Sequence, residues 1–247
     1  MPAPRPCIER YHISIDPALL SSFRAYPAAL TLPYRACRLR TRPPGRTVPP
    51  GEKRMDIIKP AFHHVTFKTS RPAEMVAWYG RVIGATPTFQ DESNAWTTND
   101  AANHRVAFVS PRGLSDDPDK RSHNGMHHSA FEYGSFGDLM ASYARLRDEG
   151  ILPAFCLDHG LTVSLYYRDP ESNFVELQCD SFGDWERSTE WMRTSADFKT
   201  NPIGTFFDPE RVYQAHMAGV NFDVLHVGMR KGDYAPAGPP PDLGMPV

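Results

Sequence analysis

No apolar stretch in this chain of 247 residues approaches the roughly 20 needed to cross a bilayer. The one apolar-leaning segment near the start is interrupted by Arg24, Pro27 and Pro33, so membrane spanning is not expected and a soluble globular protein is. Cysteine is also scarce. Cys7, Cys37, Cys156 and Cys179 are widely spaced and form no CxxC pair, which argues against a zinc knuckle or a disulfide framework and fits a reducing, cytoplasmic compartment. Acidic residues are few in residues 1–54, where ten Lys/Arg face three Asp/Glu, or +7. Basic residues are correspondingly short in residues 55–247, where 17 face 26, or −9. An acidic main body lacks the basic footprint that phosphate contact requires, so nucleic acid is not an expected partner.

The first 54 residues hold ten prolines and little hydrophobic periodicity, and too little apolar surface to offset the entropy of ordering. They read as a disordered Pro/Arg-rich leader. An organellar transit sequence, or an extension upstream of a functional start at Met55, fits the same composition.

From Met55 the pattern changes and repeats. Phe62-His-His-Val-Thr-Phe67 reads as a strand, followed by a helical stretch around Glu74–Gly80. Met126-His-His-Ser-Ala-Phe131 repeats that opening 64 residues on, followed by a helical stretch over Asp138–Leu146. Strand-like runs continue each copy: Ala95–Thr98 and Arg105–Val109 in the first, Thr162–Tyr167 and Phe174–Gln178 in the second. Two βαβββ modules are implied over residues 55–180. They predict an α+β fold, a curved and partly open mixed sheet around a metal site. Residues 181–247 form a helical C-terminal extension, with helical stretches over Ser188–Phe198 and Pro209–Met217; Asp208 is placed as an N-cap before Pro209.

Strand alternation sorts the paired histidines. If Val65, Phe67, Ser129 and Phe131 pack under the helices, His64 and His128 face the cavity and His63 and His127 the opposite side. On the last strand Val175 and Leu177 face the helices, which puts Glu176 in the cavity too. An inward carboxylate among apolar strands is costly unless a cation or hydrogen bonds satisfy it. Two imidazoles and a carboxylate at matching positions form such a cation site: His64, His128 and Glu176.

These motifs resemble the vicinal oxygen chelate superfamily, and within it the one-domain type I extradiol catechol dioxygenases, over about residues 57–180. Phe62-His-His64-Val resembles the first ligand strand, Met126-His-His128 the second, and Asp169-Pro-Glu-Ser-Asn-Phe-Val-Glu176 the strand with the acidic ligand. The resemblance implies Fe(II), or less often Mn(II), held by His64, His128 and Glu176, and cleavage of a catechol-type diol with insertion of both atoms of O2. His104 matches the family's acid/base histidine, His159 its second active-site histidine, and Tyr166 its substrate-contacting tyrosine. Two departures affect the substrate loop: the turn is Asp169-Pro-Glu-Ser-Asn173, and His159 and Tyr166 stand two residues closer than in catechol-cleaving relatives. The leader is too short for the additional pair of modules that many members carry in front.

The same fold serves glyoxalase-type isomerases and lyases and drug-sequestering resistance proteins, so these stay open. Matching residues 105–108 to 174–177 sets Ala107 opposite Glu176, leaving a three-ligand site that favours dioxygen chemistry. Expected partners are a small aromatic diol, O2 and further copies of the chain. Among the aromatics Trp96 is the candidate substrate wall; Trp78, Tyr79, Trp185 and Trp191 read as core or interface residues. Asp116-Asp-Pro-Asp119 reads as a solvated turn.

Overall fold

The computed structural model describes residues 57–239, 241 and 243. The leader expected over residues 1–54 lies outside the described residues. From Lys59 onward the chain forms one compact unit, and both modules and the C-terminal extension lie within it.

The first module runs β1 (Val65–Lys68), α1 (Pro72–Ile83), β2 (Thr86–Gln90), β3 (Asn94–Thr98) and β4 (Val106–Val109). The second runs β5 (His128–Tyr133), α2 (Phe136–Asp148), β6 (Phe155–Asp158), β7 (Thr162–Arg168) and β8 (Phe174–Asp180). Their sheets have the same plan. Strand order is β1-β4-β3-β2 in one and β5-β8-β7-β6 in the other, with β1 parallel to β4, β5 parallel to β8 and the remaining pairs antiparallel. The expected α+β pair of βαβββ modules is therefore present, as two partly open mixed sheets.

Local chemistry accounts for the helices. In α1, Pro72 opens the first turn, where its missing N–H costs nothing, and Met75, Tyr79 and Val82 recur on one buried face. Gly84 ends the helix at φ +69, a left-handed conformation suited to glycine, and returns its N–H to the Tyr79 carbonyl. In α2 the Ser135 hydroxyl accepts from the Asp138 N–H, and Leu139, Met140, Tyr143 and Leu146 are buried. These faces meet Phe67, Phe108, Val175, Leu177 and Cys179 in one apolar core.

The modules are tied together at one end. Tyr79 Oη donates to Asp169 Oδ2 at 3.2 Å, Thr69 Oγ1 donates to Glu171 Oε1 at 2.6 Å, and Arg71 pairs with Glu171 at 3.2 Å. The β7–β8 turn of the second module is thus held by the loop after β1 and by α1 of the first.

The C-terminal extension contains α3 (Trp185–Thr194), α4 (Ala196–Thr200), β9 (Thr205–Phe206), α5 (Pro209–Met217) and α6 (Phe222–Lys231). The single helix expected over residues 188–198 is two helices. Ser195 breaks it by taking an extended conformation, its hydroxyl capping α4 through the Phe198 N–H. Asp208 caps α5, accepting from the N–H groups of Glu210 and Arg211, as expected. The extension is also more than helical: β9 adds a fifth strand beside β6, with Leu157 opposite Phe206. None of the helices among the described residues is long and apolar enough to cross a membrane.

Candidate metal centre

Register places Glu176 at the middle of the second sheet, opposite Ala130 of β5 on one side and Tyr166 of β7 on the other. Val175, Leu177 and Cys179 enter the core, so Glu176 projects from the other face, yet it is only 4% exposed. His128 Nε2 lies 3.0 Å from Glu176 Oε2, and Tyr166 Oη donates to Glu176 Oε1 at 2.7 Å. His159 Nε2 stands 3.0 Å from Tyr166 Oη and 3.8 Å from Glu176 Oε1. Four of the six expected site residues therefore form one contiguous group.

The electrostatics of this group follow from burial and hydrogen bonding. Burial alone would raise the Glu176 carboxyl, but bonds from His128, Ser164 and Tyr166 outweigh it and hold the group below its ordinary value, ionised. Burial, then the Glu176 charge, pushes the Tyr166 hydroxyl up, so it stays a neutral donor. Burial lowers the His159 imidazole, more than Glu176 and the Ile203 backbone carbonyl hold it up.

His64 and His104 form a second group in the first module. Their rings are 4.3 Å apart, and His63 joins them with Nδ1 3.0 Å from His64 Nδ1. His63, His64 and His104 are the three residues, among those described, whose potential ligand atoms lie mutually within 4.8 Å; His64, His128 and Glu176 do not form such a set. Alternation put His63 and His127 on the opposite face. The structure differs because β1 begins at Val65 and β5 at His128, so neither histidine is under strand geometry. Both are exposed, and His127 Nδ1 is 2.7 Å from His128 Nδ1. Burial, then the neighbouring His64 and His63, lowers the His104 imidazole.

The donor chemistry suits a divalent cation. Two N/O donors about 2.1 Å from a common ion and at right angles stand about 3 Å apart, which matches the 3.0 Å between His128 Nε2 and Glu176 Oε2. His127 engages the other nitrogen of His128, as outer partners of ligating histidines do. The two modules are not equivalent. Thr66 faces Ala107 in the first where Ala130 faces Glu176 in the second, so Ala107 holds the position matching Glu176 and the first module offers no carboxylate there.

Aromatic surface flanks the group. The Phe155 ring stacks on Tyr166 at 4.5 Å, and Phe174, Ile203, Phe206 and Leu243 complete an apolar cluster, three of them from the C-terminal extension. A cavity of about 500 Å³ has walls that include His127, Phe155, Phe174 and Leu243, with Glu176, His128, Tyr166 and His159 outside its lining. Trp96 is half-buried opposite Ala107 and packs edge-to-face on Phe89 at 5.5 Å, on the first module's own sheet. Of the aromatics read as core or interface, Tyr79 is fully buried, while Trp185 is 69% exposed and donates to Glu132 Oε1. Asp116 to Asp119 is an exposed turn tied to Arg71.

Sequence reasoning missed the residues behind His159. Asp158 is fully buried, and Trp191, Gly204, His226 and Arg230 of the extension surround the turn that follows it. The signal available was Asp158-His159-Gly160 itself, a carboxylate two residues before a glycine, the pattern of a side chain that accepts from the backbone two residues on.

The molecule thus defines a paired-βαβββ protein whose second module carries an imidazole–carboxylate pair across β5 and β8. A family model described as Glyoxalase/Bleomycin resistance protein/Dioxygenase superfamily matches residues 61–177. The chain is 37% identical over 163 residues to Biphenyl-2,3-diol 1,2-dioxygenase 3 of Rhodococcus globerulus, covering 66% of this chain and 85% of that protein. It is 39% identical over 165 residues to Biphenyl-2,3-diol 1,2-dioxygenase 2 of the same organism, with the same coverage. A crystal structure of a glyoxylase/bleomycin resistance protein/dioxygenase domain from Frankia sp. EAN1pec is 18% identical, covering 50% of this chain and 93% of that one, with a TM-score of 0.42. On the strength of the two sequence relatives, the chain belongs to the glyoxalase/bleomycin resistance protein/dioxygenase superfamily.

Proposed function

We propose that the protein is an extradiol ring-cleaving dioxygenase that inserts both atoms of O2 into a catechol-type aromatic diol. The observation that carries this is the buried group of Glu176, His128, Tyr166 and His159 in a chain so similar to two biphenyl-diol dioxygenases. His64, His128 and Glu176 are the proposed ligands of Fe(II) or Mn(II). When bound, the ion supplies a Lewis acid for the two substrate hydroxyls and a path for electrons between diol and dioxygen.

The chain's own residues then handle orientation and protons. Tyr166 keeps its proton and donates its hydrogen bond to Glu176 Oε1, which fixes the carboxylate plane and leaves Oε2 directed at His128. His159, whose imidazole burial lowers, stands beside Tyr166, and the two would hydrogen-bond a substrate oxygen and favour the ionised diol. His104, likewise lowered, stands beside His64 as the candidate general acid/base. Phe155 and Phe174 supply an apolar wall against which an aromatic ring can stack and from which water is excluded. Ala107 in place of a second carboxylate favours this reaction over glyoxalase-type isomerisation.

A cytoplasmic location and assembly into homo-oligomers belong to the same proposal. They are supported by the unpaired, buried Cys156 and Cys179 and by the fully exposed outer strand β2 with Phe89.

The test is anaerobic loading of the full chain with Fe(II), followed by oxygen uptake and visible absorbance with a panel of catechols. The expected result is one O2 consumed per diol with a yellow ring-opened product, lost in His128→Ala. Metal bound with no oxygen consumed on any catechol would transfer the protein to the isomerase class, and no bound metal would remove the proposal altogether.

A further inference from the structure

The C-terminal extension converges on one turn of the second module. Asp158 ends β6 with its side chain fully buried. Its Oδ1 accepts from the Gly160 N–H at 2.8 Å and lies 3.2 Å from His226 Nε2 of α6, at ion-pair distance though without the alignment of a hydrogen bond. Its Oδ2 has no hydrogen-bond partner among the described residues. The Asp158 carbonyl faces Arg230 Nη1 at 3.4 Å. Trp191 of α3 covers Gly160, and the Gly204 backbone packs directly on the Asp158 carbonyl; a Cβ on either glycine would sit 2.3 Å from its neighbour.

Between Asp158 and Gly160 stands His159, whose N–H is fixed to the Thr162 carbonyl at 2.9 Å and whose Nε2 is 3.0 Å from Tyr166 Oη. A fully buried carboxylate is stable only when compensated. The group placed to compensate it is the His226 imidazole, itself stacked on Phe222 at 5.3 Å and 7°. Without His226, Asp158 is relieved either by taking up a proton or by rotating toward solvent, and a positioning role requires the rotation. That motion releases the Gly160 N–H and with it the turn that aims His159.

We infer that Asp158 and His226 are a positioning pair through which the C-terminal extension sets the orientation of His159 toward Tyr166. The consequence for turnover rests on the reading of His159 as a substrate-facing group; the geometric claim does not. His226 touches neither Tyr166 nor Glu176 and acts only through the turn.

The test uses the full chain with three variants. His226→Phe keeps a ring to stack on Phe222 and removes the nitrogen that faces Asp158, His226→Lys places a cation there, and His226→Gln keeps a polar group without charge. In the Fe(II)-loaded protein, His226→Phe is expected to leave the circular dichroism spectrum and metal content unchanged. It lowers kcat on a catechol about 10- to 100-fold, as loss of an outer partner does, moves KM far less, and is partly rescued by His226→Lys. In the metal-free protein, imidazole nitrogen NMR or a crystal structure of His226→Phe is expected to show His159 Nε2 out of reach of Tyr166. A folded His226→Phe with unchanged kcat and an intact His159–Tyr166 contact overturns the inference, as does an equal loss in His226→Lys. Should His226→Phe not fold, His226→Gln is read by the same two measurements, retention of the contact overturning the inference and its loss supporting it. Should the unaltered protein cleave no catechol, the proposed function fails, and the positioning pair is decided by the metal-free measurement alone.

Discussion

At the scale of single residues, the site consists of ionisable groups whose charge is set by burial against hydrogen bonding. Glu176 stays charged because three donors outweigh its burial, whereas His159 and His104 lack enough compensation and are driven toward the neutral form. This makes stability depend on pH in a definite sense. The folded His159 has a value below the 6.5 of the free side chain, so near and below 6.5 the unfolded chain binds more protons than the folded one. The stabilisation is complete above 6.5 and is lost as pH falls through the lowered value. Urea unfolding of the metal-free protein is therefore expected to show stability declining as pH drops below 6.5, with a shallower decline in His159→Gln. Identical slopes for the two proteins would contradict the assignment. His104 and His127 are shifted in the same direction and contribute to the slope that remains.

At the scale of elements, the β6–β7 hairpin is where the extension acts on the module. Gly160 has φ +86, a conformation that costs an L-residue about 1–2 kcal/mol, and the Trp191 indole occupies the space a side chain would need. Gly160→Ala is thus expected to lower stability by more than the backbone cost alone. Trp191→Ala should recover the steric part but not the conformational part, a coupling that a double-mutant cycle by urea denaturation measures. Additive losses would show that Trp191 and Gly160 are not in contact. The helices around them follow local rules: Asp184, Ser195, Asp208 and Asn221 each accept from backbone N–H groups at the start of their helix.

At the scale of the whole molecule, one apolar core runs under both modules and takes in Phe207, Val212, Leu225 and Met229 of the extension. The proposed metal draws ligands from both modules, so binding it favours the folded state alone. At 100 times its dissociation constant a ligand stabilises by about 2.7 kcal/mol, which in a protein of this size corresponds to a rise of roughly 5–10 °C in Tm. Calorimetry with and without a chelator is expected to show that difference, and His64→Ala is expected to reduce it. A chelator-insensitive Tm in the Fe(II)-loaded protein would exclude a metal shared between the modules.

Much of this was legible in the chain itself. The repeat 64 residues apart, the alternation in β1, β5 and β8 and the proline and aspartate at the start of α5 depend on neighbours in sequence, and so they predict the modules, the cavity face of Glu176 and the Asp208 cap. Strand β2 was invisible because every residue in it is exposed, and β6 because every one is buried; neither leaves an alternation to see. The break at Ser195 and the exposure of His63 and His127 depend on where an element ends, which one-residue shifts decide. What only the tertiary structure decided is which distant groups meet. Asp158 and His226 are 68 positions apart and carry no spacing that links them; they pair because β9 docks beside β6 and brings α6 against the turn, where a buried charge needs a partner.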